Sequence, residues 1–228
     1  MKSDEIFLDI LYKDDDILIV NKPSGILCIS DGYDSSKPYL KAILANSYGK
    51  IWVVHRLDKD TSGIILFARS AQAHREMNMQ FEKRTVRKTY LALVYGLPCW
   101  NEYQVSYPLR KNGDRYHRTI VDFKGGKNAL TKISVVHRFA AHTLFAVEIK
   151  TGLTHQIRAH LSSLGFPIVG DTLYSLSFHN SPKVSQLNET YLYLHAFSLH
   201  FKHPTNQENF YVEAALPAYF QQSLKTLA

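Results

Sequence analysis

The chain has 228 residues, 45% of them hydrophobic and 12% aromatic, which is enough to build a buried core and excludes a disordered chain. Its formal charge is +7 with histidines neutral and its pI is about 9.3, a basic excess that favours a polyanionic partner over a cationic one. Two cysteines, Cys28 and Cys99, form no CxxC pair and lack zinc-ligand spacing, which argues against a zinc module and a disulfide framework.

The N-terminal stretch MKSDEIFLDILYKDDD carries acids where a signal peptide needs basic residues followed by a long apolar run. No apolar stretch approaches the length that spans a bilayer, so the expectation is a cytoplasmic protein without a membrane partner. Residues 17–21 (ILIVN) read as a short strand stopped by the turn Lys22-Pro23-Ser24-Gly25. Ser35 or Ser36 can cap a helix running to about Tyr48, with Pro38 tolerated in its first turn. Residues 64–68 (IILFA) read as a buried strand. A helix follows from Ala71 to about Lys83, with Ala73, Met77 and Phe81 recurring every four residues as core positions.

Residues 89–95 (TYLALVY) form another strand, closed by Gly96-Leu97-Pro98. Residues 132–136 and 144–150 look like neighbouring strands across a turn. Thr154 is placed to cap a helix that reaches Leu164 and stops at Gly165. The tail alternates over 191–201 and 210–214 and ends in a helix that Pro217 can start. Strands outnumber helices without regular βαβ alternation. The expected class is therefore α+β: a mixed, largely antiparallel sheet with flanking helices, in one domain over residues 1–228.

Three segments concentrate chemistry. HRLDKDTSG (residues 55–63) places Asp58 between Arg56 and Lys59 on a loop that leads straight into the buried strand; unaided, it reads first as a solvated surface turn. Lys88-Thr89-Tyr90 enters a strand, where a core tyrosine is the plain alternative. TGLTHQIRAHL (residues 151–161) puts Arg158 near a helix N-terminus, where cation and dipole together stabilise an anion. His155 and His160 are five apart and point to different faces of a helix, so no metal pair is expected. Lys and Arg outnumber Asp and Glu 16 to 7 over residues 51–138, so the basic excess sits there. Within it Arg110, Lys111, Arg115, Arg118, Lys124 and Lys127 are candidate contacts to the backbone of a polyanion, or simply surface charges.

HRLDKDTSG, KTY and THQIRAH, in this order, resemble the RluA family of RNA pseudouridine synthases, and the likeness extends to DDDILIVNKPSGI, LALVYG and LGFPIVGDTLY, spanning roughly residues 14–174. The resemblance implies the family's mixed-sheet fold with a central RNA-binding cleft. It maps the catalytic aspartate onto Asp58, the active-site tyrosine onto Tyr90, and the aspartate-pairing arginine onto Arg158. Arg56, Thr61, Lys88, His155 and Gln156 become candidate substrate contacts. Where the family reads GRTHQ, this chain has Leu153 in place of the arginine. The likeness begins by about residue 14 and no S4-like RNA-binding module is recognised, so RNA selectivity is expected from the catalytic domain.

Pseudouridine formation breaks a glycosidic C–N bond, turns the base, and rejoins it through carbon. It imports no group, so no cofactor and no metal is expected. A carboxylate can add to the anomeric carbon or remove the neighbouring sugar proton as uracil leaves. Arg158 would keep Asp58 ionised, and Tyr90 offers a ring to stack on the base and a hydroxyl for proton movement. The target uridine must leave its helix, which is cheapest in a loop, and Arg56 could fill the vacated space or hold the backbone. Ribosomal RNA, transfer RNA or both are expected substrates, and a monomer is the default. The rival readings are an inactive RNA-binding protein of the same fold and a nucleoside or glycoside hydrolase pairing Asp58 with Asp171, although Asp171 reads better as a structural brace.

Overall fold

The structure, a computed structural model, describes residues 8–31, 34, 37–175 and 187–228. Its elements are β1 (Asp9–Lys13), β2 (Ile17–Lys22), α1 (Leu40–Tyr48), β3 (Trp52–Val53), β4 (Ser62–Ala68), α2 (Ala71–Glu82), β5 (Arg87–Tyr95), β6 (Glu102–Val105), β7 (Leu109–Arg110), β8 (Ile120–Val121), β9 (Thr131–Arg138), β10 (His142–Ile149), α3 (Gln156–Ser163), β11 (Leu194–Lys202), β12 (Asn209–Glu213) and α4 (Ala218–Leu227). Among the described residues, one sheet runs β1-β2-β4-β11-β5-β10-β9-β6, with β12 joined to β11 and β3 to β4, while β7 and β8 form a separate hairpin. The β4–β11 pairing is parallel and the other pairings are antiparallel. This is the mixed, largely antiparallel α+β architecture expected from the sequence. No helix among the described residues is long and apolar enough to cross a membrane.

The period-2 geometry of strands explains why 17–20 and 64–67 are apolar throughout. Leu18 and Val20 stand opposite Phe67 and Ile65, and these four enter the core that also holds Leu40 and Leu44 of α1. Ile17, Ile19, Ile64 and Leu66 face the other way, into a second core with Met77 of α2 and Phe201 of β11. β2 and β4 are thus covered on both faces. Ser70 caps α2 by accepting the Ala73 N–H at 3.1 Å. Ala73 and Met77 are fully buried as expected, whereas Phe81 is only partly covered and also borders the cleft described below.

Two helix starts differ from the sequence reading. α1 begins at Leu40 with Tyr39 at its cap, so Pro38 precedes the helix; Ser35 and Ser36 lie outside the described residues. His155, not Thr154, stands at the N-cap position of α3, in the left-handed region at φ 54 and without a side-chain cap hydrogen bond. Thr154 is instead held by its carbonyl, which accepts the Thr119 hydroxyl at 2.8 Å. Gly165, at φ 85, ends the helix as expected.

Gly63 marks the centre of the sheet, where β4 meets β11 in parallel. It has φ 107, and a Cβ there would lie 2.3 Å from the Ala196 carbonyl oxygen, so only glycine permits this approach. Ala196 in turn stands opposite Tyr90 on β5. The mouth of β4 and the middle of β5 are therefore held across a single intervening strand.

Candidate active site

The loop carrying Asp58 is fixed from below by the turn after β2. Lys22 is fully buried, and its Nζ donates to three carbonyls: Pro23 and Ile26 at 2.9 Å and Lys59 at 2.8 Å. Burial without a direct carboxylate partner lowers its pKa to about 8. Gly25 N–H donates to the Lys59 carbonyl at 3.0 Å, and Ser24 Oγ to that of Asp60 at 2.7 Å. Leu57 N–H donates to Cys28 Sγ at 3.3 Å. On the far side His55 Nε2 accepts the Leu66 N–H at 2.9 Å, and its ring stacks on Phe81 at 4.8 Å. Burial takes the His55 pKa down to about 3, which suits an imidazole acting as acceptor. None of these supports was expected: KPSG reads as a turn, and nothing in its spacing announces a buried lysine.

A cleft of about 570 Å³ opens above this loop, and Arg56, Asp58, Thr61, Lys88, Tyr90, His155, Gln156 and Arg158 all line it. Residues from three distant segments thus converge. The side chain of Asp58 is 22% exposed, and one oxygen, Oδ2, lies 3.8 Å from Arg158 Nη1 and 3.7 Å from His155 Nε2. Tyr90 is buried on β5; burial, then the Asp58 charge, raises its pKa, so it stays a protonated phenol. Arg56 is exposed at the cleft. Lys88 also lines it, with Nζ 5.6 Å over the Phe81 ring; burial, then Arg84 and Lys150, lowers its pKa. Thr61 is buried, with no hydrogen-bond partner for its Oγ1 among the described residues.

Three expectations need correction. The Arg158 fork does not close on Asp58. Its Nε and Nη2 each bond a different oxygen of Asp171 at 2.8 Å, and Asp58 lies beyond hydrogen-bond length on the Nη1 side. Burial opposes the Arg158 charge, but the Asp171 bonds outweigh it and raise the pKa. Gln156, expected to contact substrate, spends its amide on the protein: Oε1 accepts from Thr151 Oγ1 and Leu153 N–H, while Nε2 donates to the Leu130 carbonyl and Thr131 Oγ1. Among the proposed backbone contacts, Arg110 pairs with Asp122 and Arg118 with Asp114, both at 2.6 Å, so these two brace the hairpin segment.

Lys111 and Arg115 are exposed on that segment, and Lys127 reaches the cleft. Leu153 packs with Val121 and Leu173 around Leu109, Ala129, Ala159 and Tyr174, so an apolar side chain at this position seals the hairpin against α3. His160 is buried between Thr131 Oγ1 and the Tyr107 carbonyl, each at 2.9 Å. Among the described residues no three His, Cys, Asp or Glu side chains converge as a metal site requires.

Residues 16–163 match the family model for RNA pseudouridylate synthase. The dual-specificity RNA pseudouridine synthase RluA of Pasteurella multocida is 38% identical over 208 residues, covering 89% of this chain and 90% of that protein. Ribosomal large subunit pseudouridine synthase D of Pseudomonas aeruginosa is 33% identical over 237 residues, covering 99% of this chain and 73% of its own. Among solved structures, human RNA pseudouridylate synthase domain containing 1 superposes with a TM-score of 0.77 at 26% identity, over 100% of this chain and 97% of that one.

Proposed function

Since this chain belongs to the RluA family of RNA pseudouridine synthases and is an isomerase of uridine in RNA, we propose that Asp58 is the group that acts on the ribose, as nucleophile at the anomeric carbon or as base at its neighbour. The observation that carries this reading is the placing of the Asp58 carboxylate in the cleft, with Arg158 and His155 on one oxygen and Tyr90 lining the same space. Arg158 cannot lose its charge at working pH, so a permanent cation stands 3.8 Å from the carboxylate that either route uses. As the C–N bond breaks, the electron pair leaves with the uracil. The base turns, its C5 bonds to the anomeric carbon, and the C5 proton is lost while N1 gains one. Tyr90, a protonated phenol beside the base, supplies a stacking face and a proton donor.

A uridine paired in a helix cannot place its sugar in this cleft, so the target is extruded at a cost of a few kcal/mol. Arg56, exposed beside Asp58, is placed to hold the emptied position, and Lys88 to meet a phosphate. Ribosomal RNA, transfer RNA or both are the proposed substrates, the first supported by a relative named for the large ribosomal subunit, acted on by a cytoplasmic monomer with one catalytic domain. A two-carboxylate hydrolase fits poorly, because Asp171 is fully buried and committed to Arg158.

The test is incubation of the purified chain and Asp58→Asn with cellular ribosomal and transfer RNA. Wild type is expected to form pseudouridine without releasing uracil, and the variant to bind RNA and form none. Pseudouridine made by Asp58→Asn would overturn the assignment, and free uracil would favour the hydrolase.

A further inference from the structure

A chain of contacts runs from the β7–β8 segment to Asp58 through a residue the mechanism above leaves unused. Thr119 N–H donates to Tyr174 Oη at 2.8 Å, and that oxygen lies 3.2 Å from His155 Nδ1. The two rings meet edge to face at 5.7 Å, and the Arg158 guanidinium lies 5.1 Å from the centre of the Tyr174 ring. The other ring nitrogen of His155, Nε2, faces Asp58 Oδ2 at 3.7 Å. His155 adopts φ 54, a region non-glycine residues rarely occupy unless their surroundings hold them there.

The proton positions follow from these partners. Burial pushes the Tyr174 pKa up to about 12, so the phenol keeps its hydrogen. Its oxygen already accepts from the Thr119 N–H; the Thr119 hydroxyl also lies beside it but is directed to the Thr154 carbonyl, and the ring acceptor within reach of the phenol proton is His155 Nδ1. Burial lowers the His155 pKa, the charges of Asp58 and Asp171 oppose that, and those of Arg158 and Arg56 add to it, leaving a neutral ring. A neutral ring that accepts at Nδ1 must carry its hydrogen on Nε2.

We infer that Tyr174 is a positioning residue for the isomerisation: its hydroxyl locks His155 in the tautomer whose Nε2–H is aimed at Asp58. The hairpin segment docks on the same hydroxyl, so its seating and the orientation of the carboxylate form one arrangement. The inference rests on the reading of Asp58 as the reacting group. The 3.7 Å separation is open, and such contacts tighten when substrate fills the cleft.

Two measurements on the full chain test it. Long-range ¹H–¹⁵N NMR of the histidine rings, with His155 assigned by its loss in His155→Asn, should show hydrogen on Nε2; hydrogen on Nδ1 overturns the inference. Single-turnover rates on substrate RNA should fall about tenfold in Tyr174→Phe and in His155→Asn, with RNA affinity within about twofold, and the double variant should be no slower than the slower single. Asparagine tolerates the left-handed backbone, so His155→Asn tests the ring alone and serves if Tyr174→Phe does not fold. Wild-type rates in either folded single variant, or multiplying losses in the double, would overturn it. Failure of the Asp58 assignment is visible separately, as activity in Asp58→Asn.

Discussion

Arg158 meets two carboxylates whose surroundings divide their roles. Asp171 is fully buried, takes both ends of the guanidinium fork, and also accepts the Leu173 and Tyr174 N–H groups at 3.1 and 3.0 Å. Its bonding capacity is satisfied inside the protein, so it holds the cation. Asp58 keeps 22% of its side chain exposed and faces the cleft, which leaves it able to meet substrate. Asp171→Asn should therefore unfold the protein more readily: removing one partner of a buried charge pair costs about 3–5 kcal/mol. Urea denaturation measures this, and a midpoint equal to wild type would show that Asp171 does not hold the guanidinium.

At the scale of the elements, the strand β11 joins the Asp58 loop to the sheet. His195 on β11 is fully buried; its Nδ1 lies 2.9 Å from Ser62 Oγ, and its Nε2 is 3.2 Å from the Ala214 carbonyl. The carbonyl can only accept, so Nε2 carries the hydrogen and Nδ1 accepts from the serine. Burial takes the His195 pKa down from 6.5 to about 4. In that interval the unfolded chain binds a proton that the folded one does not. The stability this histidine contributes is thus complete above pH 6.5 and drains away as pH falls towards about 4. Chemical denaturation should lose up to about 1.4 kcal/mol per pH unit from this group between pH 6.5 and 5. A His195→Gln variant should show a shallower slope over that range, and an unchanged slope would mean the histidine is not responsible.

For the whole molecule the decisive feature is the division of the basic charge. Over the β7–β8 segment Arg110 and Arg118 are tied to carboxylates, whereas Lys111, Arg115 and Lys124 have no carboxylate partner among the described residues. These three are exposed on the segment whose Lys127 reaches the cleft, which suits contacts to the phosphates of a bound RNA. Each lost phosphate contact should reduce the slope of log affinity against log salt by about 0.7–0.9. Replacing Lys111, Arg115 and Lys124 together with alanine should therefore weaken RNA binding and flatten that slope. A salt titration that gives the wild-type slope would place the RNA on another face.

What lay within reach of the sequence were features written in local order. Continuous apolar runs at 17–20 and 64–67 announce strands buried on both faces, the four-residue recurrence of Ala73 and Met77 announces α2, and the HRLDKDTSG, KTY and THQIRAH segments name the residues that meet in the cleft. Tertiary structure alone decided the pairing. Asp171 rather than Asp58 closes the Arg158 fork, His155 rather than Thr154 stands at the N-cap position of α3, Gln156 turns inward, and Lys22 is buried beneath the Asp58 loop. The reason is physical: periodicity and motif order depend on neighbours along the chain. Which donor finds which acceptor depends on burial and on strands brought together from segments more than a hundred residues apart, as Ser62 and His195 are.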